Sequence, residues 1–133
     1  MKKLFLIFIV FLTSCSPYVS DRCQPATEAQ LGFINYMVTK NTKSNYIKDG
    51  YAVRSNDFEE VYMVATMLYG PSMEEGAGPA IFAVAGDPDD PGMWYSIDSF
   101  ALAFTDFPEG SIFYEELNRN ADGVEDVKTC YNK

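Results

Sequence analysis

The fold of this chain is decided by residues 60–69, EVYMVATMLY, and residues 80–85, AIFAVA. Both stretches are apolar on both faces of a period-two repeat, and glycine and proline bound them. Stretches of this length and composition are typical of buried strands rather than of helices. They predict two central strands of a sheet.

Further strands are predicted on either side of this pair. Residues 93–97, MWYSI, are also apolar and aromatic. Residues 46–55 predict two short extended arms separated by the turn dipeptide Asp49-Gly50. The stretches between the strands are rich in glycine, proline and acids, which is typical of connectors. They are GPSMEEGAGP at 70–79 and GDPDDPG at 86–92.

Helices are predicted before and after the strands. Thr27 and Gln30 have the spacing of a capping box, and apolar residues follow at helical spacing, which predicts a helix over 27–40. Asp98 is placed to cap a short helix over SFALAF, and residues 112–117 predict one more short helix or an edge segment. The sequence therefore predicts an α+β domain, with an N-terminal helix packed on an antiparallel sheet of about four strands, plus one or two short helices.

The N-terminus has the pattern of an export signal. Lys2 and Lys3 precede nine apolar residues, 4–12, which is the length of a secretory segment and well short of the ~20 residues of a spanning helix. The alternative is a buried N-terminal strand or helix that happens to end in a cysteine.

Residues 12–15, Leu-Thr-Ser-Cys, resemble the lipobox of bacterial lipoproteins. The resemblance implies cleavage between Ser14 and Cys15 and attachment of fatty acyl chains to Cys15. The protein would then be lipid-anchored and extracytoplasmic, at the bacterial cell membrane or the outer membrane. Ser16, where an aspartate would favour retention at the inner membrane, favours the outer one.

This interpretation divides the chain into three parts: a signal peptide at 1–14, a lipidated tether at 15–25 and a domain at 26–133. The mature chain would have 119 residues, and without Lys2 and Lys3 it would carry eight basic against 19 acidic side chains, a net charge of −11. A mature chain with this negative charge repels phosphate backbones, which argues against nucleic acid as a partner.

The cysteine count predicts a disulfide. With Cys15 lipidated, Cys23 and Cys130 remain as a pair near the two ends of the domain, and such pairs commonly close in exported proteins. Two free thiols are the alternative. A metal site on two cysteines is weaker, because the chain has no histidine and no tight CxxC spacing.

A second resemblance concerns the mature domain. The segments SNDFEEVYMVATMLYGPSMEEG, YSIDSFALAFTDFPEGS and DGVEDVKTC are similar to a group of small exported bacterial proteins of unknown function. The resemblance implies the same fold and a closing cysteine at Cys130, and it carries no activity.

The residues exclude most catalytic chemistries. Without histidine there is no Ser-His or Cys-His nucleophile and no His-bound metal, and no phosphate-binding glycine motif appears. Carboxylate chemistry remains, but the acids stand mostly as adjacent pairs, which point different ways on a helix or strand.

One segment has part of a calcium-loop pattern. Asn118, Asn120, Asp122 and Asp126 place oxygen ligands at alternate positions around a glycine. The pattern lacks its closing glutamate, because position twelve is Thr129. Calcium binding would therefore be weak, or the site would be completed from elsewhere, for example by Glu115 or Glu116. The alternative is a polar turn before the last segment.

Tyrosines offer a second possible surface. The set Tyr36, Tyr62, Tyr69 and Tyr95 includes positions that could face outward from the sheet. A sheet face that exposes such tyrosines would suit protein or glycan binding, unless the helix at 27–40 covers it.

Three functions stay open. The leading one is a lipid-anchored binding or accessory module whose extracytoplasmic protein partner offers a basic patch to acids such as Glu74, Glu75, Asp89 and Asp90. The second is a carboxylate-dependent envelope enzyme, and the third a protective or exclusion factor that binds an incoming protein. A pocket with two carboxyls at working distance would favour the enzyme, and an open apolar patch ringed by acids would favour a binder.

Overall fold

The computed structural model describes residues 18–41, 44–71, 73 and 78–132. Its centre is an antiparallel sheet of five strands, and the order of the strands in the sheet follows the chain. The strands are β1 (Gln24–Pro25), β2 (Tyr51–Arg54), β3 (Val61–Thr66), β4 (Ala80–Asp87) and β5 (Asp90–Ser96). The helices are α1 (Glu28–Asn41), α2 (Ser99–Phe104), α3 (Gly110–Phe113) and α4 (Val124–Thr129).

This arrangement confirms the predicted α+β fold. The predicted signal peptide, the cleavage site at Ser14, the lipidation site Cys15, and the acids Glu74 and Glu75 lie outside the described residues. Within the described part of the chain, no helix combines the length and the apolar composition that crossing a membrane requires.

The two central strands are apolar throughout because the sheet is covered on both faces. Val64 and Phe82 point to one face, where they pack with Ile34 and Val38 of α1. Met63 and Ile81 point to the other face, where the C-terminal segment with α4 covers them. All of these side chains are fully buried or nearly so, which explains why β3 and β4 show no polar alternation.

The predicted caps are present. The Thr27 N–H donates to Gln30 Oε1 at 3.0 Å and the Gln30 N–H donates to Thr27 Oγ1 at 3.1 Å, which closes the capping box at the start of α1. Asp98 Oδ1 accepts from the Ala101 N–H at 2.8 Å at the start of α2. Local hydrogen bonds therefore begin both helices where the sequence predicts.

The segment 46–55 differs from its prediction. Its two arms pair with β3 and with the residues that follow β3, rather than with each other: β2 pairs with β3, and Tyr46 forms an isolated bridge to Tyr69. A Cβ atom at Gly50 would lie 2.7 Å from the Ala65 carbonyl oxygen. The glycine therefore permits a close approach of two neighbouring strands and does not form a hairpin turn.

Two further differences concern the ends of elements. The predicted connector 86–92 is mostly strand, because Asp87 pairs with Asp90 across a tight turn at Pro88 and Asp89. The helix α4 begins directly after Gly123, which has a φ of 97°, at the place where only a polar turn and a final segment were predicted.

Candidate functional site

An aromatic cleft opens on the face of the sheet that α4 covers. Its volume is about 240 Å³. Val61 and Ala85 form its floor, and the side chains of Phe58, Tyr95 and Tyr114 form its walls, with Leu117 and Glu59 completing the lining. We call this feature the aromatic cleft.

The rings of the aromatic cleft pack edge to face. The centroid of Tyr114 lies 6.4 Å from that of Phe58 and 6.2 Å from that of Tyr95. The ring of Phe113 lies 5.8 Å from Tyr95. Such contacts orient aromatic rings and stabilise each pair by about 0.5–1.5 kcal/mol in addition to the free energy gained by burying the rings. The walls of the cleft are therefore held in place.

The outer rim of the aromatic cleft is apolar and exposed. Ile112 is 72% exposed, Phe113 55% and Tyr114 54%. Met93, the cross-strand neighbour of Ala85, adds a further side chain that is 41% exposed. Three consecutive large apolar residues in solvent are unusual for a small soluble domain, and contiguous patches of this kind commonly mark binding surfaces.

A tight loop holds these residues outward. The Tyr114 N–H donates to the Gly110 carbonyl at 3.0 Å and the Leu117 N–H donates to the Tyr114 carbonyl at 2.8 Å. A Cβ atom at Gly110 would lie 2.7 Å from the Leu117 carbonyl oxygen. Because Leu117 is buried in the core, the loop is fixed at its base.

The rim also carries a concentration of negative charge. The two segments that form it, 57–60 and 109–117, contain six acidic residues and no lysine or arginine. All six are exposed. They are Asp57, Glu59, Glu60, Glu109, Glu115 and Glu116.

Glu60 has a strained backbone at this rim. Its φ is 53°, in the left-handed region, which costs about 1–2 kcal/mol for a residue with a side chain. Its carbonyl accepts from the Gly86 N–H at 2.8 Å, and this bond holds the bend that leads into β3. Strained residues that the surrounding structure maintains are found disproportionately at functional sites.

The electrostatics of the aromatic cleft favour an uncharged wall. Burial raises the pKa of Tyr95, and the neighbouring Tyr114 raises it further. Tyr95 therefore stays a neutral phenol at neutral pH, so the negative charge lies at the rim and the interior is apolar.

A shallower depression lies over α1. Its volume is about 550 Å³, and it is lined by Gly32, Asn35, Tyr36, Thr39 and Lys40. It is wide open and contains one aromatic ring among these residues, so its geometry is less suited to a specific ligand than that of the aromatic cleft.

The carboxylates of the predicted calcium loop are bound to an arginine. Arg22 donates from Nη2 to Asp122 and from Nη1 to Asp126, both at 2.8 Å. The Asn56 N–H also donates to Asp122 at 2.7 Å. The hydrogen bond from Arg22 is the main reason that the pKa of Asp122 is lowered, and the Asn56 bond adds to it. The guanidinium thus supplies the positive charge that a cation was expected to supply.

The remaining calcium candidates form a polar turn. Asn118 Oδ1 accepts from the Asn120 N–H at 2.8 Å, and Asn118 Nδ2 donates to the Glu115 carbonyl at 3.0 Å. Across the part of the chain that the structure describes, no group of three or more His, Cys, Asp or Glu side chains is arranged to hold a metal ion. The hydrogen bonds of Asn118 are those of a polar turn.

Residues 18–25 lie against the domain, whereas the sequence predicts a tether over 15–25, of which residues 15–17 lie outside the described part of the chain. Ser20 N–H donates to Thr129 Oγ1 at 2.8 Å, Arg22 binds α4, and β1 pairs with β2. The sulfur atoms of Cys23 and Cys130 lie 2.02 Å apart, at bonding distance. From Tyr18 onward this segment is thus part of the folded unit.

The four tyrosines expected on an open sheet face do not lie together. Tyr62 points to the face that α1 covers and is partly buried, and Tyr95 is buried on the opposite face. Tyr36 is exposed on α1. Tyr69 stacks on Tyr46, and the ammonium group of Lys48 lies 4.6 Å from its ring centroid. Only Tyr95 belongs to the aromatic cleft.

Sequence reasoning missed Phe58, Phe113 and Tyr114 as site residues. A signal was present, because Ile112, Phe113 and Tyr114 are consecutive and precede two glutamates. Consecutive residues of a helix or of an extended segment point in different directions, so these three do not all face one core. The partner residue Phe58 gave no such signal.

The chain matches no protein-family model, no curated protein and no solved structure. The resemblance of residues 12–15 to a lipobox, and that of the mature domain to small exported proteins, therefore stay predictions from the sequence.

Proposed function

We propose that this protein is a lipid-anchored module of the bacterial cell envelope that binds an extracytoplasmic protein through the aromatic cleft. The observation that carries the proposal is the exposed apolar rim, Ile112 to Tyr114, beside a cleft with acidic surroundings. Interfaces commonly combine an aromatic centre, which provides most of the affinity, with a polar rim. The lipid anchor at Cys15 is part of the proposal and rests on the sequence.

Binding is better supported than carboxylate catalysis. A catalytic pair of acids needs a shared, partly desolvated site that separates their pKa values. The acids around the aromatic cleft are exposed. Asp98 and Asp122 do have shifted pKa values, but Asp98 caps α2 and Asp122 binds Arg22. Burial raises the pKa of Asp98 and the bond from Arg22 lowers that of Asp122, and neither side chain lines the aromatic cleft.

The proposal is tested by capture from native membranes with two matched variants. Tyr114→Ala removes a wall of the aromatic cleft, and Leu102→Ala removes a similarly exposed side chain from α2, which is 46% exposed. Centrally placed aromatic residues commonly contribute 2 kcal/mol or more to binding, so the first variant should retain at least ~10-fold less of a partner protein. The second variant should retain as much as the wild type.

Two results would contradict the proposal. One is equal retention by both variants when their thermal midpoints show that both are folded. The other is hydrolysis of a cell-wall or glycan substrate by the purified protein, if changing one or two carboxylates to amides abolishes it. The second result would support the envelope enzyme instead.

A further inference from the structure

We infer that the aromatic cleft takes a single large apolar side chain, phenylalanine or leucine in size, from a partner segment that carries lysine or arginine on both sides of it. The inference rests on the proposed function, and it specifies the chemistry of the partner at the site of contact.

The size of the aromatic cleft indicates one side chain. Its volume of about 240 Å³ lies below the ~300–1,000 Å³ of typical small-molecule sites. Its walls and floor are apolar, with Glu59 as the charged residue of the lining. A space of this kind suits an anchor residue of a protein partner, which is the usual way in which a small pocket contributes to an interface.

The charge around the aromatic cleft indicates what flanks the anchor. Acids precede and follow the aromatic residues on both segments: Asp57 and Glu59 flank Phe58, and Glu109 and Glu115 stand on either side of the stretch that contains Tyr114. Glu59 lines the cleft and five further exposed acids lie on the two segments that form its rim, so a segment that enters the cleft meets negative charge. Lysine or arginine next to the anchor would satisfy this charge, and an acidic neighbour would be repelled.

The same charge argues against a second copy of this chain as the occupant. A symmetric dimer through the aromatic cleft would place two sets of six exposed carboxylates against each other. No lysine or arginine in segments 57–60 and 109–117 could offset the repulsion between them. The partner is therefore a different, basic chain.

The test uses capped synthetic peptides and the purified domain. The first peptide has a phenylalanine between two runs of lysine, the second has alanine at the centre, and the third has glutamates in place of the lysines. Affinity is measured by calorimetry at salt concentrations of about 0.01 M and about 1 M, where the screening length falls from ~30 Å to ~3 Å. Chemical shifts of the aromatic rings identify the site of contact.

The first peptide should bind about tenfold more tightly than the second, because the phenylalanine fills the cleft. The third should not bind, and high salt should weaken the first two. Tyr114→Ala should remove the preference for phenylalanine over alanine, whereas Glu115→Gln with Glu116→Gln should weaken both basic peptides. Leu102→Ala should leave every affinity unchanged.

Equal affinity for the phenylalanine and alanine peptides would overturn the inference, as would shifts confined to residues outside the cleft. If the domain dimerises and Tyr114→Ala abolishes that dimerisation, the inference is also overturned.

Failure of the inference is distinguishable from failure of the proposed function. If the peptides do not bind but Tyr114→Ala still loses the membrane partner, only the inference fails. If the peptides bind but the variant keeps that partner, the proposed function fails.

Discussion

Arg22 joins three parts of the molecule with one side chain. Its guanidinium donates to Asp122 and Asp126 and to the Arg54 carbonyl at 2.6 Å. The pairs with Asp122 and Asp126 are partly buried, with side chains 28–29% exposed. Partly buried, multiply bonded pairs of this kind stabilise a fold more than exposed ones do. The residue therefore fixes the N-terminal segment on α4.

Replacing this side chain should destabilise the domain. We expect Arg22→Met to lower the free energy of unfolding by about 1–2 kcal/mol, because charged hydrogen bonds are lost and two carboxylates are left unpaired. Lys128→Met is the matched control. Its partner Glu125 is 84% exposed, so the loss should be at most about 0.5 kcal/mol. Urea denaturation measures both, and equal effects would contradict the role of Arg22.

The same variant should change the response to acid. Arg22 lowers the pKa of Asp122 in the folded state, so the stabilisation is present above the unfolded value of about 3.9 and is lost as the pH falls through the lower, folded value. In Arg22→Met this loss should be smaller, which denaturation at a series of pH values below about 5 would detect.

Among the elements, α2 illustrates how a short helix depends on its cap. It has six residues, too few to be stable without tertiary contacts. Asp98 Oδ1 accepts from the Ala101 N–H at 2.8 Å and from the Ile81 N–H at 3.3 Å. One carboxylate therefore begins the helix and also ties it to β4.

Two substitutions at Asp98 should separate its hydrogen bonds from its charge. Asp98→Ala should lower the free energy of unfolding by about 1 kcal/mol or more, because the cap is lost. Asp98→Asn should keep the cap.

The charge of Asp98 has a separate, pH-dependent effect. Burial raises the pKa of Asp98, so in the wild type its contribution to stability declines as the pH rises from about 3.9 through the raised, folded value. The asparagine variant should therefore gain stability relative to the wild type as the pH rises. If Asp98→Asn lost as much free energy of unfolding as Asp98→Ala at every pH, the separation of cap and charge would be refuted.

At the scale of the whole molecule, the first and last described segments, 18–25 and 124–132, are fastened together. Cys23 and Cys130 are 107 residues apart in sequence, Arg22 binds α4, and Asn132 Nδ2 donates to the Tyr18 carbonyl at 3.1 Å. If Cys15 carries the proposed lipid, only Ser16 and Pro17 separate it from Tyr18, so the two residues are at most about 10 Å apart when the chain is extended. The domain would then lie next to the membrane surface.

Opening the disulfide should have a large effect on stability. A bridge that closes a loop of this length restrains the unfolded chain by about 4–5 kcal/mol. Reduction should lower the thermal midpoint of the wild type and slow its migration on a gel. The double variant Cys23→Ser with Cys130→Ser should have a low midpoint that the reductant does not change. Free alkylation of both thiols in native, exported protein would rule the bridge out.

The anchor is tested by Cys15→Ala. The variant should stay uncleaved at Ser14 and incorporate no labelled fatty acid, because the acyl chains would be attached to that sulfur. Cys23→Ser, which keeps the lipobox, should still be labelled and should partition into detergent. Labelling of the Cys15→Ala protein would disprove the lipobox interpretation.

Local signals predicted much of the fold from the sequence alone. The central strands were found because both of their faces are apolar. The helices α1 and α2 were found because a residue that can cap a helix, Thr27 or Asp98, stands at the start of each; its side chain accepts from the backbone N–H three residues later, at Gln30 and Ala101. These interactions lie within one turn of helix or one strand. Sequence spacing is sufficient to identify them.

Only the tertiary structure decided the aromatic cleft, the role of Arg22 and that of Gly50. Phe58 and Tyr114 meet because the loop after α3 packs back over the start of β3, and Arg22 meets Asp122 across 100 residues of sequence. The sequence predicted a turn at Gly50. The atom that leaves no room for a side chain there is the carbonyl oxygen of Ala65, and it belongs to the neighbouring strand β3. In each case the partner lies far away in sequence and is brought close by layers that pack on a shared core. No local pattern encodes that distance.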